Sequence, residues 1–227
     1  MRCTGLGIVM NDDERMKIFL STLRPSLPEH LYALKKWCLE RDYPVIRSET
    51  EDLLRAVLAM KKPSKILEIG TCAGYSTSFI YEYAKAQITT LEIRPEHVKE
   101  ARENFKNFGI SDFIKVIEGD AEKSLDEMIS SDENPKFDFV FIDAAKGQYS
   151  IYFDRAAKLL TDDGVIVCDN VLQDESLLDS RYTILQRDRT IHDRMRAFLQ
   201  DITHRADFVT DVLPIADGMS VSVHKVL

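Results

Sequence analysis

At 227 residues, with 44% hydrophobic and 30% charged residues, the chain has the composition of a folded protein with a sizeable core, which excludes a disordered or fibrous class. No apolar run approaches the roughly 20 residues needed to cross a bilayer, and the opening MRCTGLGIVM runs straight into Asp12, Asp13 and Glu14, unlike a secretory signal. A net charge of −8 disfavours general nucleic-acid affinity, while four scattered cysteines (Cys3, Cys38, Cys72, Cys168) with no C-x-x-C pair point away from zinc and disulfides and towards a reducing cytoplasm.

Residues 12 to 42 read as helical, broken around Pro25-Ser26-Leu27-Pro28. Ser48-Glu49-Thr50-Glu51 has the capping-box pattern, and Leu53, Leu54, Val57 and Leu58 then share one helical face. From there strands and helices alternate. KILEIG is a strand, Tyr75 to Ala86 a helix, QITTLEI a strand, and Pro95 to Phe108 a helix with Pro in its first turn and Gly109 just past its end. FIKVIEGD, FDFVFID and GVIVCD are further buried strands, separated by helical pieces at 121 to 130 and 148 to 160. A helix over 188 to 203 and two closing β segments, around 208 to 213 and 218 to 225, complete the chain. Such alternation predicts an α/β fold, a mostly parallel sheet with helices on both faces, whose ligands sit at the carboxyl ends of the strands.

The first such end is ILEIGTCAGYS, Ile66 to Ser76. A strand entering a glycine turn at a helix start lets backbone approach a ligand closely. A dinucleotide site would want G-x-G-x-x-G facing a pyrophosphate; here Gly70 and Gly74 are spaced G-x-x-x-G, with Glu68 just before them and no third glycine. A carboxylate repels a pyrophosphate and suits a sulfonium and an ammonium. Glu92 ends the next strand, placed to accept both ribose hydroxyls, and Gly119-Asp120-Ala121 ends the third, placed to meet an adenine. Together these predict S-adenosylmethionine as cofactor. Taken alone, the glycine turn is equally a tight connection, and Ser76 is equally a helix cap or a contact to the cofactor carboxylate.

The pattern resembles the Rossmann-like class I methyltransferases, with seven strands of which the last is antiparallel. FIDAAKGQY followed by VIVCDNVL is similar to the cation-dependent O-methyltransferase family of catechol and caffeoyl-CoA O-methyltransferases, from about Tyr43 to the C-terminus. Ala145 stands where many plant members carry a second Asp. The form FIDAAKGQY, an Arg-rich segment before the last helix, and Leu213-Pro214-Ile215-Ala216-Asp217-Gly218-Met219 resemble the bacterial tRNA 5-hydroxyuridine methyltransferases. The resemblance implies one methyltransferase domain, with residues 1 to 42 a helical extension and 43 to 227 the catalytic core. It also implies a homodimer, and the backbone of Ile46 near the methionine end of the cofactor.

Asp143, Asp169 and Asn170 sit at neighbouring strand ends. Two carboxylates and an amide oxygen are hard ligands that leave about three of six octahedral positions open, which suits Mg²⁺ or another divalent cation; an isolated Asp-Asn would equally be a turn. Asp143 is expected to contact the cofactor as well as the cation and to take part in catalysis, and Lys146, expected one helical turn on, is a candidate general base. Tyr149, Tyr152 and Phe153 read as core, and the five histidines lack ligand spacing. The acceptor is the open question, because a catechol and a 5-hydroxyuridine both offer two adjacent oxygens. Arg181, Arg187, Arg189, Arg194 and Arg196, outweighing Asp188 and Asp193, form either a phosphate-binding stripe for a tRNA anticodon stem or an ordinary solvated face. The expectation is tRNA, with a small catechol, phenol or CoA-linked acceptor as the alternative. The missing third glycine disfavours a nicotinamide-dependent dehydrogenase; a non-catalytic S-adenosylmethionine-binding module stays as the alternative from another class, against which the intact Asp143, Lys146, Asp169 and Asn170 set argues.

Overall fold

The computed structural model describes residues 12–172, 176–180 and 182–225, so Cys3 and Arg181 lie outside the described residues. In chain order, helices α1 (Asp12–Leu23), α2 (Glu29–Leu39) and α3 (Ser48–Lys61) precede the first strand. Then β1 (Lys65–Ile69), α4 (Tyr75–Ala84), β2 (Gln87–Glu92), α5 (Pro95–Asn107), β3 (Ile114–Glu118), α6 (Ala121–Ser130), β4 (Phe137–Ile142), α7 (Tyr149–Lys158) and β5 (Leu160–Cys168) alternate. Helix α8 (Arg189–His204) and strands β6 (Phe208–Leu213) and β7 (Met219–His224) follow. The seven strands form one sheet in the order β3-β2-β1-β4-β5-β7-β6, and only β7 runs against its neighbours.

Side-chain alternation along the central strands builds two cores. Ile66, Phe139, Phe141, Val165 and Val167 pack on one face with α2 to α5, and Leu67, Ile69, Val140, Ile142, Ile166 and Cys168 on the other with α6 to α8. The helices therefore lie on both faces, as expected. Because β1 is followed outward by β2 in one direction while β4 leads to β5 in the other, the strand order reverses between β1 and β4, the place where such sheets hold ligands. The register sets Ile69 beside both Leu91 and Ile142, and Ile142 beside Cys168. The next residues of the four strands (Gly70, Glu92, Asp143 and Asp169) therefore emerge level with one another at one edge.

Several expectations are corrected. Within the expected helical extension of residues 1 to 42, Leu31, Leu34 and Cys38 of α2 are buried with Phe79 and Ile80 of α4. Only α1 behaves as an extension, every side chain from residue 14 to 23 being exposed. Ser48 is not a cap: Arg47 occupies the cap position of α3, and its side chain makes no capping bond there. The Glu51 carboxylate is drawn elsewhere, accepting from Lys35 Nζ and from Tyr75 Oη, each at 2.6 Å, which ties α2, α3 and α4 together. Strand β5 starts at Leu160 rather than Gly164, through a register irregularity against β4.

Candidate functional site

The level strand ends open into a cleft of about 850 Å³. Its wall includes Ile46, Gly70, Ser76, Glu92, Ala121 and Asp143 from the expected cofactor set, together with Asp169 and Asn170. The structure thus brings most of the predicted site to one place, and the exceptions are informative.

Glu68 does not reach the cleft. It is fully buried in β1, where its Oε2 accepts from Thr77 Oγ1 and from Thr90 Oγ1, the latter at 2.6 Å. Burial pushes this carboxyl up to about 7, against the pull of the neighbouring hydroxyls. Its Oε1 makes no hydrogen bond among the described residues. Asp120 is also absent from the cleft wall: it is exposed and caps α6, accepting from the Glu122 and Lys123 amides at 2.8 and 3.4 Å. Gly119 and Ala121 on either side of it line the cleft.

Gly70 is needed first by the sheet itself. At φ +105°, a Cβ there would lie 2.0 Å from the Asp143 carbonyl oxygen. Its absence lets the ends of β1 and β4 close on each other. Gly74 likewise makes room for Phe105. Beside this turn, Glu92 is nearly buried and its carboxylate is held by two backbone amides, Cys72 N on Oε2 at 2.8 Å and Arg94 N on Oε1 at 2.9 Å. An acceptor fixed in this way and facing the cleft fits a vicinal diol.

At the neighbouring ends Asp169 is 1% exposed and accepts from Asn170 N at 2.7 Å and from Thr50 Oγ1 at 3.4 Å. Tyr149, buried as expected, donates its hydroxyl to the Asp169 carbonyl at 2.9 Å. Burial, and then the Asp143 charge, push the Asp169 carboxyl up to about 7, and burial raises Asp143 as well. Two adjacent carboxylates stripped of water are costly without a cation. No three His, Cys, Asp or Glu side chains cluster for metal binding among the described residues, and the amide of Asn170 is the further side-chain oxygen beside the two carboxylates in the cleft wall. The set is acceptor-rich, hard and open on the cleft side, and it fits a divalent cation.

Lys146 is placed differently from the expectation. Asp143 to Ala145 is not helical, and Lys146 opens a 3-10 turn, Lys146–Gln148. It is not part of the cleft wall, yet its charge pulls both the Asp143 and Asp169 carboxyls back down, which sets it in their field. The arginine stripe is largely occupied. Arg189 donates to the carbonyls of Ile184 and Tyr182 at 3.1 and 3.4 Å, Arg194 to that of Gly147 at 3.2 Å, and Arg196 to that of Leu177 at 2.6 Å. Arg187 is exposed beside Asp188, at 3.5 Å. Sequence reasoning missed Arg47 and Asp217 in the cleft wall, and also Tyr152, which reaches the cleft although it packs in the core.

The chain matches the O-methyltransferase family over residues 26–225. The chain belongs to that family. It is similar to a catechol O-methyltransferase of Niastella koreensis, 33% identical over 57% of this chain and 59% of the relative. A probable caffeoyl-CoA O-methyltransferase of Dictyostelium discoideum is 26% identical over 86% of this chain and 84% of that one. Among solved structures, an S-adenosylhomocysteine-bound methyltransferase of Podospora anserina superposes with a TM-score of 0.82 at 26% identity, covering 98% of this chain and all of that one. The sheet is that of a class I methyltransferase. Among the described residues no helix is long and apolar enough to cross a membrane.

Proposed function

We propose that this O-methyltransferase moves the methyl group of S-adenosylmethionine onto one oxygen of a small acceptor carrying two adjacent oxygens, of the catechol or phenolic type. The observation that carries this reading is that Glu92 and the Asp143, Asp169 and Asn170 group line one cleft. Glu92 would accept the ribose hydroxyls, with Ile46, Gly70, Ser76 and Ala121 shaping the rest of the cofactor subsite, Asp120 bracing it from the head of α6 and Glu68 from beneath the glycine turn. Asp143, Asp169 and Asn170 would hold Mg²⁺. The cation would supply positive charge to two adjacent acceptor oxygens, easing loss of a proton. Lys146, whose charge acts on both carboxylates, would receive that proton. The rest is positioning: the acceptor oxygen would be held in line with the methyl group.

The acceptor differs from the expected tRNA. Both similar relatives described above carry small-molecule names, and three of the four described arginines of the stripe already bind backbone carbonyls. Labelled methyl transfer to a catechol panel and to total tRNA from a strain lacking this protein separates the two. Label on catechols alone supports this reading; label on tRNA alone makes 5-hydroxyuridine of the anticodon loop the acceptor. Glu92→Ala is expected to weaken S-adenosylhomocysteine binding by about 1.5–3 kcal/mol, as for bonds to a charged group. Unchanged affinity in calorimetry would remove Glu92 from the ribose subsite.

The scattered cysteines fit a cytoplasmic enzyme. Homodimerisation through α1 belongs to the same reading, since Met16, Phe19, Leu20 and Leu23 form an exposed apolar stripe at helical spacing. Light scattering is expected to give twice the 26.0 kDa of one chain; a single-chain mass would exclude it.

A further inference from the structure

The amide of Asn170 is one of three donors in the proposed cation site, and an amide has two faces of nearly the same shape. Its oxygen attracts a cation and its NH₂ repels one. Something must choose. The choice lies 47 positions further along the chain, at Asp217 in the turn before β7.

Asn170 Nδ2 donates to Asp217 Oδ2 at 3.2 Å, and Arg47 Nη2 lies 2.7 Å from Asp217 Oδ1. The turn is itself locked to the Asn170 strand end. Val171 N donates to the Gly218 carbonyl and Leu172 N to the Asp217 carbonyl, both at 2.9 Å. Gly218, at φ +86°, has room for no side chain, because a Cβ would sit 2.3 Å from Leu172 Cγ. Asp217 therefore cannot drift from Asn170 without unpacking two backbone bonds.

A carboxylate only accepts hydrogen bonds. Facing one, the Asn170 amide must present its NH₂, and its oxygen is then turned the other way. Arg47 has a complementary effect. By engaging Oδ1 it keeps a third carboxylate of the cleft wall paired. We propose that Asp217 is a positioning residue that selects the oxygen-forward orientation of Asn170, with Arg47 holding Asp217 in place. This rests on the cation reading above.

The test uses Mn²⁺ as probe, titrated by calorimetry into the full chain, with S-adenosylhomocysteine affinity and thermal unfolding measured alongside. Asp217→Ala removes the acceptor and is expected to weaken Mn²⁺ binding roughly 10- to 100-fold, the usual effect of losing a partner behind a metal ligand. S-adenosylhomocysteine affinity without metal should stay at the wild-type value, because Glu92 stands at a different strand end. Asp217→Asn has one accepting oxygen for two donors; Arg47 takes it and the NH₂ is left facing Asn170, so this variant should also weaken Mn²⁺ binding, and it serves as the readable variant should the alanine fail to fold. Wild-type Mn²⁺ affinity in Asp217→Ala would overturn the positioning role, as would wild-type affinity in the asparagine variant. A parallel loss of S-adenosylhomocysteine binding would reduce Asp217 to a structural turn. If the wild-type chain takes up no Mn²⁺, the cation reading itself fails, which is a distinct result.

Discussion

Asp169→Asn is expected to abolish metal-dependent methyl transfer without destabilising the metal-free protein. Asparagine keeps the shape of the side chain and an oxygen that accepts from Asn170 N and Thr50 Oγ1. It loses the charge, and in this position the charge is a burden: burial and the Asp143 carboxylate together push Asp169 up to about 7. Neutralising one member of a buried like-charge pair relieves repulsion. Thermal unfolding without metal should therefore show a midpoint at or above wild type, while the rise produced by Mg²⁺ in the wild type disappears. The fall in turnover should exceed the roughly 100-fold that loss of a partner behind a ligand costs. Full turnover in the variant, or in excess EDTA, would remove the cation from the chemistry.

The strand ends that carry this site were legible because parallel strands buried on both faces are nearly continuous apolar runs, and the first polar residue after each run marks where the strand leaves the sheet. That is how Glu92, Asp143 and Asp169 could be picked out, and the register then set them level. What a residue does after leaving the apolar run depends on partners remote in sequence. Glu68 is an acidic residue inside the run, and only the approach of Thr77 from α4 and Thr90 from β2 turns it inward instead of towards a ligand. Glu51 fits a capping box by spacing, yet Lys35 and Tyr75 offer it better-placed charge and hydroxyl. The capping role of Asp120, by contrast, was readable, since an aspartate directly before a helical segment with Glu122 two residues on is a local start signal. In the arginine stripe, charge is visible in a sequence, whereas the carbonyls of Tyr182, Ile184 and Gly147 that accept from it are not.

Gly70→Ala should be the most damaging single methyl in the chain, and it should act on fold and site together. At φ +105° an alanine is strained by about 1–3 kcal/mol wherever it stands. Here its Cβ would also lie 2.0 Å from the Asp143 carbonyl oxygen and 2.9 Å from the carbonyl carbon, both backbone atoms that cannot rotate aside. Relief requires β1 and β4 to part at their ends. That movement breaks the 3.0 Å bond from Asp143 N to the Ile69 carbonyl and strains the one from Gly70 N to the Leu91 carbonyl, also 3.0 Å. Overpacking of this kind adds about 1–3 kcal/mol. The sum, roughly 2–6 kcal/mol, corresponds to a fall in melting midpoint on the order of 10 °C for a chain of this size. Molecules that still fold would carry Asp143 displaced, and a 1 Å misplacement in an active site costs on the order of 100-fold in rate. Gly109→Ala is the control. Gly109 also has positive φ, +66°, but nothing lies within 4 Å of its Cβ position, so only the conformational cost of about 1–2 kcal/mol remains and turnover should be unchanged. Unfolding midpoints and turnover for the two variants side by side decide the matter: an equal drop in both midpoints would mean that backbone strain alone, and not the closure of β1 on β4, explains the glycine.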